Sequence, residues 1–192
     1  MSVIEDSIDV EVPIRTAYNQ WTQFEEFSKF MEGVERVEQR TDTLTHWVTK
    51  IGGIKREFDA EITDQVPDQK VAWHTLEGSE QRGEVTFVPL DATHTRVLLH
   101  MEFEPEGIAE KAGDALGIVE RRVHGDLERF KEFIEHRGAE TGAWRGEVRG
   151  GQEKPRGTPG EYDPYRGGAG TSPPTPGRNM PPSRPGRKEP PR

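Results

Sequence analysis

The side chains able to move protons, hold metals or attack carbonyls are scattered along this chain. Its six histidines (His46, His74, His94, His100, His124 and His136) include no close helical pair that would close on zinc, and no His-Glu-x-x-His run occurs. There is no cysteine, which excludes disulfides, thiolate metal sites and cysteine nucleophiles. Ser2, Ser7, Ser28 and Ser79 lack the G-x-S-x-G setting of a nucleophile elbow. Gly52-Gly53 is a hairpin signal, not a phosphate-binding loop. The acidic stretch 102–106 reads as a solvated edge, because a catalytic carboxylate needs desolvation or a like charge beside it. No metal site and no cofactor is expected. Arg56 stands out, since it falls in register with Phe58, Ala60 and Ile62 on one face of an alternating run. Its guanidinium points either inward, where it could grip a carboxylate or phenolate with two hydrogen bonds, or to water from the start of the strand. His46 alternates with Trp47, so only one of the two can face inward.

Apolar chemistry is better represented. Among 192 residues there are four tryptophans and eight phenylalanines. Trp21, Phe24, Phe27, Phe30 and Met31 cluster early, and Trp47, Phe58, Trp73, Phe87 and Phe103 follow on alternating runs. Rings at these spacings build either a solid core or the lining of an apolar pocket. No apolar run approaches the ~20 residues that cross a bilayer. The first ten residues have neither a basic start nor an apolar stretch, so no secretory leader is expected. A cytoplasmic location is expected.

The elements that must position these side chains occupy residues 1–140. Ile8, Val10 and Val12 alternate in a first strand over 3–12, and Pro13 suits the first turn of a helix. Ile14, Ala17, Trp21 and Phe24 share one helical face, and a second short helix over 25–31 ends at Gly33. Six alternating runs follow, at 34–40, 43–51, 54–66, 70–76, 83–89 and 95–104. Short turns separate them, which favours antiparallel hairpins. After Pro105, Ile108, Ala112, Ala115, Leu116, Val119, Val123, Leu127, Phe130 and Ile134 recur with the period of one long helix. Its first half is slim, with Ala109, Ala112, Gly113, Ala115 and Gly117, and leaves room between helix and sheet.

Composition changes near Gly150. From there on the chain holds eleven of its fifteen prolines, with eight Lys/Arg against four Asp/Glu, and no Leu, Ile, Val, Phe or Trp. Such a segment cannot bury enough apolar surface to offset its chain entropy. Residues 141–192 are therefore expected to form a disordered tail, with polyproline II character near Pro173-Pro174 and Pro181-Pro182. The rest of the chain is strongly acidic. The tail arginines (Arg166, Arg178, Arg184, Arg187 and Arg192) are spread out, so a nucleic-acid partner is not expected.

The order β-α-α-β-β-β-β-β-β-α describes an α+β helix-grip fold: a curved seven-stranded antiparallel sheet around a long C-terminal helix, with two short helices after the first strand. Together with VPIRTAYNQWTQFEEFSKFMEGVERVEQ, HWVTKIGGIKREFDAEI and RRVHGDLERFKEFIE, it resembles the SRPBCC (START-like) superfamily. Within it the likeness is to the polyketide cyclase/dehydrase and coenzyme-Q-binding branch, over residues 1–140.

The resemblance implies a cavity between sheet and long helix, entered near the two short helices. It also implies a bound small hydrophobic ligand that is polyketide-, isoprenoid- or lipid-like. Residues expected to line the cavity are Trp21, Phe24, Phe27, Phe30, Trp47, Phe58, Trp73, Phe87, Met101, Phe103, Leu116 and Val119. The alternative is an aromatase/cyclase or dehydratase acting on a polyketide intermediate. There, positioning supplies much of the acceleration, and Arg56 would act with His46 or Tyr18 as proton carrier. Such an enzyme could take its substrate from an acyl-carrier protein, itself acidic, which the charge of the body would repel unless Arg36, Arg40, Lys50, Lys55 and Arg56 form a basic patch.

Overall fold

The computed structural model describes residues 1–51, 53–78, 80–104 and 115–155. Expectations for residues 106–114 of the long helix, and for the tail from 156 onward, lie outside the described residues.

The first strand, β1 (Ser2–Val10), leads through Pro13 into α1 (Ile14–Trp21). The second short helix is a tight 3-10 turn over Phe24–Lys29. Then come β2 (Val34–Gln39), β3 (Leu44–Ile51), β4 (Ile54–Val66), β5 (Lys70–Thr75), β6 (Gln81–Pro89) and β7 (Thr95–Phe103), followed by α2 (Ala115–Arg137). All pairings are antiparallel, in the order β1-β7-β6-β5-β4-β3-β2. The expected seven-stranded sheet and long helix are thus present. Register shifts between Val34 and Arg36 and between Ile62 and Asp64 mark irregularities of the kind that bend a strand. The second one reverses the phase of β4. Ala60 and Ile62 face inward before it, and Gln65 is buried after it.

The core lies at one end of the molecule. Leu127, Phe130 and Ile134 in the second half of α2 pack with Val10, Trp21, Phe87 and Val97. Val123 and Val119, one and two turns earlier, pack on a separate cluster of Ile4, Met101 and Phe103. The helix therefore grips the sheet with its C-terminal half and stands away from it in the first.

Composition places residues 141–155 in the tail, yet they form a strap over the body. Two short strands, β8 (Val148–Arg149) and β9 (Gln152–Glu153), pair with each other, and β8 extends the sheet at β4. Thr141 and Gln20 exchange hydrogen bonds at 3.0 and 2.8 Å. Arg145 holds Asp68 with both nitrogens, at 2.9 and 2.7 Å, and donates to Asn19 at 2.8 Å. Polar contacts hold this segment, with Val148 as its fully buried apolar anchor. Hydropathy patterning does not register such an attachment.

Candidate ligand cavity

Where α2 stands off the sheet there is a cavity of about 880 Å³. Trp21, Phe24 and Phe27 close its buried end. These rings meet edge to face, at 5.3 Å for Trp21–Phe27 and 5.4 Å for Phe24–Phe27. Trp47 and Phe58, opposite each other on β3 and β4, lie parallel at 6.2 Å and form part of one wall. Ile62, Val71, Trp73, Leu99, Met101 and Phe103 continue the sheet wall, and Val119, Val123 and Leu127 of α2 face it.

Some of the polar side chains along these walls bond within the protein. Trp47 donates its indole N–H to the Thr45 hydroxyl at 2.8 Å, and Thr45 donates to the Ala60 carbonyl at 3.0 Å. Thr75 bonds the backbone of Gln81 at 3.0 and 3.3 Å.

Exposed lining residues gather at the ends of the β3–β4 and β5–β6 hairpins: Arg56, Glu57, Glu77 and Gly78. Glu32 and Gly33, after the 3-10 helix, join them. Among the described residues, the exposed part of the lining is thus largely at hairpin tips, whereas Trp21, Phe24 and Phe27 of the short helices line the buried part. One side is clamped. Arg122 donates to the Glu32 carbonyl at 3.0 Å, the Glu32 N–H donates to the Asp126 carboxylate at 2.8 Å, and Arg129 donates to the Phe30 carbonyl at 2.9 Å. Gly33 fits here because its φ is +85°, and because a Cβ would stand 2.4 Å from an Arg122 nitrogen. Burial pushes the Asp126 carboxyl above the usual range, although the Arg129 hydrogen bond and the Glu32 amide pull it back.

Nine of the twelve expected lining residues surround the cavity: Trp21, Phe24, Phe27, Trp47, Phe58, Trp73, Met101, Phe103 and Val119. Phe30 and Phe87 instead sit behind it in the core. Phe30 packs on Phe27, Phe130 and Phe133, and Phe87 on Tyr18 and Trp21. Leu116 is exposed on the surface. Of the three candidate reacting groups only Arg56 lines the cavity, at its exposed rim.

Trp47 takes the inward position, which turns His46 to the other face of the sheet, where Nδ1 lies 2.6 Å from Asp59. Tyr18 is fully buried in the core, under the Arg145 guanidinium. Its hydroxyl closes no hydrogen bond, and burial pushes its pKa up to about 12 against the opposing pull of the nearby Gln65 amide. Neither His46 nor Tyr18 can pass a proton to a guest from these places. Three of the cations considered for a basic patch are paired instead: Arg36 with Glu38, Arg40 with Asp59 and Lys55 with Glu57.

Ile62, Val71 and Leu99 were legible as lining residues, since they share strand faces with Phe58, Trp73 and Met101. Asp126, seven residues after Val119 and four before Phe130, lies on the apolar side of the helix, and a carboxylate in that phase was the signal that could have found it, whereas Arg122 lies at the edge of the stripe. Among the described residues no group of three or more His, Cys, Asp or Glu could hold a metal, and no helix is long and apolar enough to cross a membrane.

The chain is 64% identical over 149 residues to an uncharacterised 17.2 kDa protein from the melC2–rnhH intergenic region of Streptomyces lincolnensis, covering 77% of this chain and 99% of that one. Its fold is similar to that of the Zhui aromatase/cyclase from Streptomyces sp. R1128, with a TM-score of 0.60, 19% identity, and 74% and 99% of the two chains covered. It is also similar to a START superfamily protein from Mycobacterium smegmatis, with a TM-score of 0.54, 14% identity, and 70% and 95% covered. The model of the family described as polyketide cyclase / dehydrase and lipid transport matches residues 10–136, and the chain belongs to that family.

Proposed function

We propose that this protein binds and carries a small hydrophobic molecule, polyketide-, isoprenoid- or lipid-like, in the cavity between the sheet and the first half of α2. The observation that carries this reading is the cavity itself. Its volume of about 880 Å³ lies within the roughly 300–1,000 Å³ of ligand pockets. The space opens to solvent at its mouth, so it holds water or a guest, and an apolar guest recovers more from apolar walls than water does.

Titration with N-phenyl-1-naphthylamine, an uncharged probe that brightens in apolar surroundings, tests this reading. Saturable one-to-one binding is expected. Emission that does not saturate, or is unchanged by substitutions along the wall, would remove the proposal.

A second reading, a cyclase or dehydratase acting on a polyketide intermediate, draws on Asp126. An aldol closure joins a methylene carbon to a carbonyl carbon. The methylene gives up a proton, the carbonyl oxygen gains one, and loss of water follows. A carboxyl held above its usual range at the cavity wall could carry such a proton, and Arg56 at the rim could steady the enolate. Asp126→Asn would then abolish turnover of a poly-β-ketone while leaving N-phenyl-1-naphthylamine binding in place. Unchanged turnover would end this second reading.

A further inference from the structure

The sheet wall is opened at its middle by a glycine. Strand register sets Ile62, Trp73, Gly83 and Met101 in one row across β4, β5, β6 and β7. Three of the four line the cavity, and Gly83 does not, although it is buried on the same face. The Trp73 indole accounts for this. A Cβ on Gly83 would stand 2.4 Å from Cζ2, 2.8 Å from Cη2 and 3.0 Å from Cε2 of that ring. The ring therefore lies across the Gly83 α-carbon, between it and the cavity.

The backbone at Gly83 is not in the left-handed region, so conformation alone does not call for glycine. Glycine inside a strand weakens it and marks a close approach, and here the approaching group is the indole. With any side chain at position 83 the ring must swing off the sheet, and the open space on that face is the cavity.

We propose that Gly83 and Trp73 together set the width of this cavity, and that the width selects a ring-bearing or branched apolar guest over a single straight chain. This rests on the reading of the cavity as a ligand site. A single straight chain fills only part of a space of about 880 Å³ and leaves wall atoms without contacts, and each missing contact is lost attraction. It also gives up more torsional freedom on binding than a rigid body does.

The test compares full-length protein with Gly83→Ala, Trp73→Leu and the double variant. The probes are N-phenyl-1-naphthylamine, read by fluorescence, and 1-decanol, read by calorimetry. Wild type should prefer the ring probe. Gly83→Ala should weaken the ring probe about tenfold and decanol by no more than about threefold. The double variant, with no indole to displace, should recover the ring probe to within about threefold of wild type.

If Gly83→Ala does not fold, Trp73→Leu alone decides, by a gain in affinity for pyrene relative to N-phenyl-1-naphthylamine. Equal losses for both probes in Gly83→Ala, no recovery in the double variant, an unchanged pyrene ratio, or a wild-type preference for decanol would each overturn the proposal. Binding of neither probe to wild type would instead overturn the ligand-site reading on which it depends.

Discussion

Replacing Val71 by phenylalanine adds a ring to the cavity, whereas the same change at Val97 adds one to the core. Val71 is 1% exposed and lines the cavity. Val97, at 0%, belongs to the same main cluster as Val71 but is not among the lining residues. By exposure the two are indistinguishable, so the cavity is the difference. Forcing extra atoms into a close-packed interior costs ~1–3 kcal/mol, and in a body of this size each kcal/mol moves the melting midpoint by roughly 2–4 °C. Val97→Phe should therefore lower Tm by roughly 2–12 °C. Val71→Phe, whose ring has room, should lower it by less than about 2 °C. Binding should run the other way. Val71→Phe takes up space a guest needs and should weaken N-phenyl-1-naphthylamine about tenfold, while Val97→Phe leaves its affinity near wild type. Thermal melts of the unliganded proteins and parallel titrations measure both quantities. The reasoning is refuted if Val71→Phe melts as low as Val97→Phe and still binds the probe as wild type does.

Three further outcomes are expected. Arg145→Ala removes the two-pronged bond to Asp68 that ties the strap to the β4–β5 turn, and should cost about 2 kcal/mol in urea unfolding; an unchanged midpoint would mean the strap is held elsewhere. Tyr18→Phe deletes a buried hydroxyl that closes no hydrogen bond, so stability should stay level or rise by up to about 1 kcal/mol, and a clear loss would show that the hydroxyl has a partner. The Asp6 carboxylate beside His124 raises the histidine pKa above 6.5. The pair's contribution is fully present below that value and fades as pH rises through the raised one. The Tm gap between wild type and His124→Ala should accordingly narrow from pH 6 to pH 9, and a widening gap would reverse the assignment.

The fold was legible because period and punctuation agree over most of the body. Arg56, Phe58, Ala60 and Ile62 set the phase of β4, and the turn signals on either side set its ends. Legibility stopped where geometry changes without a change in residue type. The irregularity after Ile62 reverses β4, so the polar Gln65 enters the core at a position that continued alternation assigns to the outer face. Aromatic type alone does not distinguish a ring that faces the cavity from one that backs it, which is why Phe30 and Phe87 read the same as Phe27 and Trp73. Whether His46 or Trp47 faces inward depends on pairing with β4, and the register Trp47–Phe58 settles it. The Asp126 clamp and the ring over Gly83 join residues about ninety and ten positions apart through one close contact each, a relation that hydropathy periodicity does not encode.

The most direct measurement is native mass spectrometry of the full chain purified from its own host, followed by denaturation and identification of anything released. The account predicts a complex heavier than the polypeptide by one small molecule, which solvent extraction recovers as an uncharged or weakly polar compound bearing rings or branches. The bare polypeptide mass, with no apolar compound in the extract and no uptake of N-phenyl-1-naphthylamine, would contradict it.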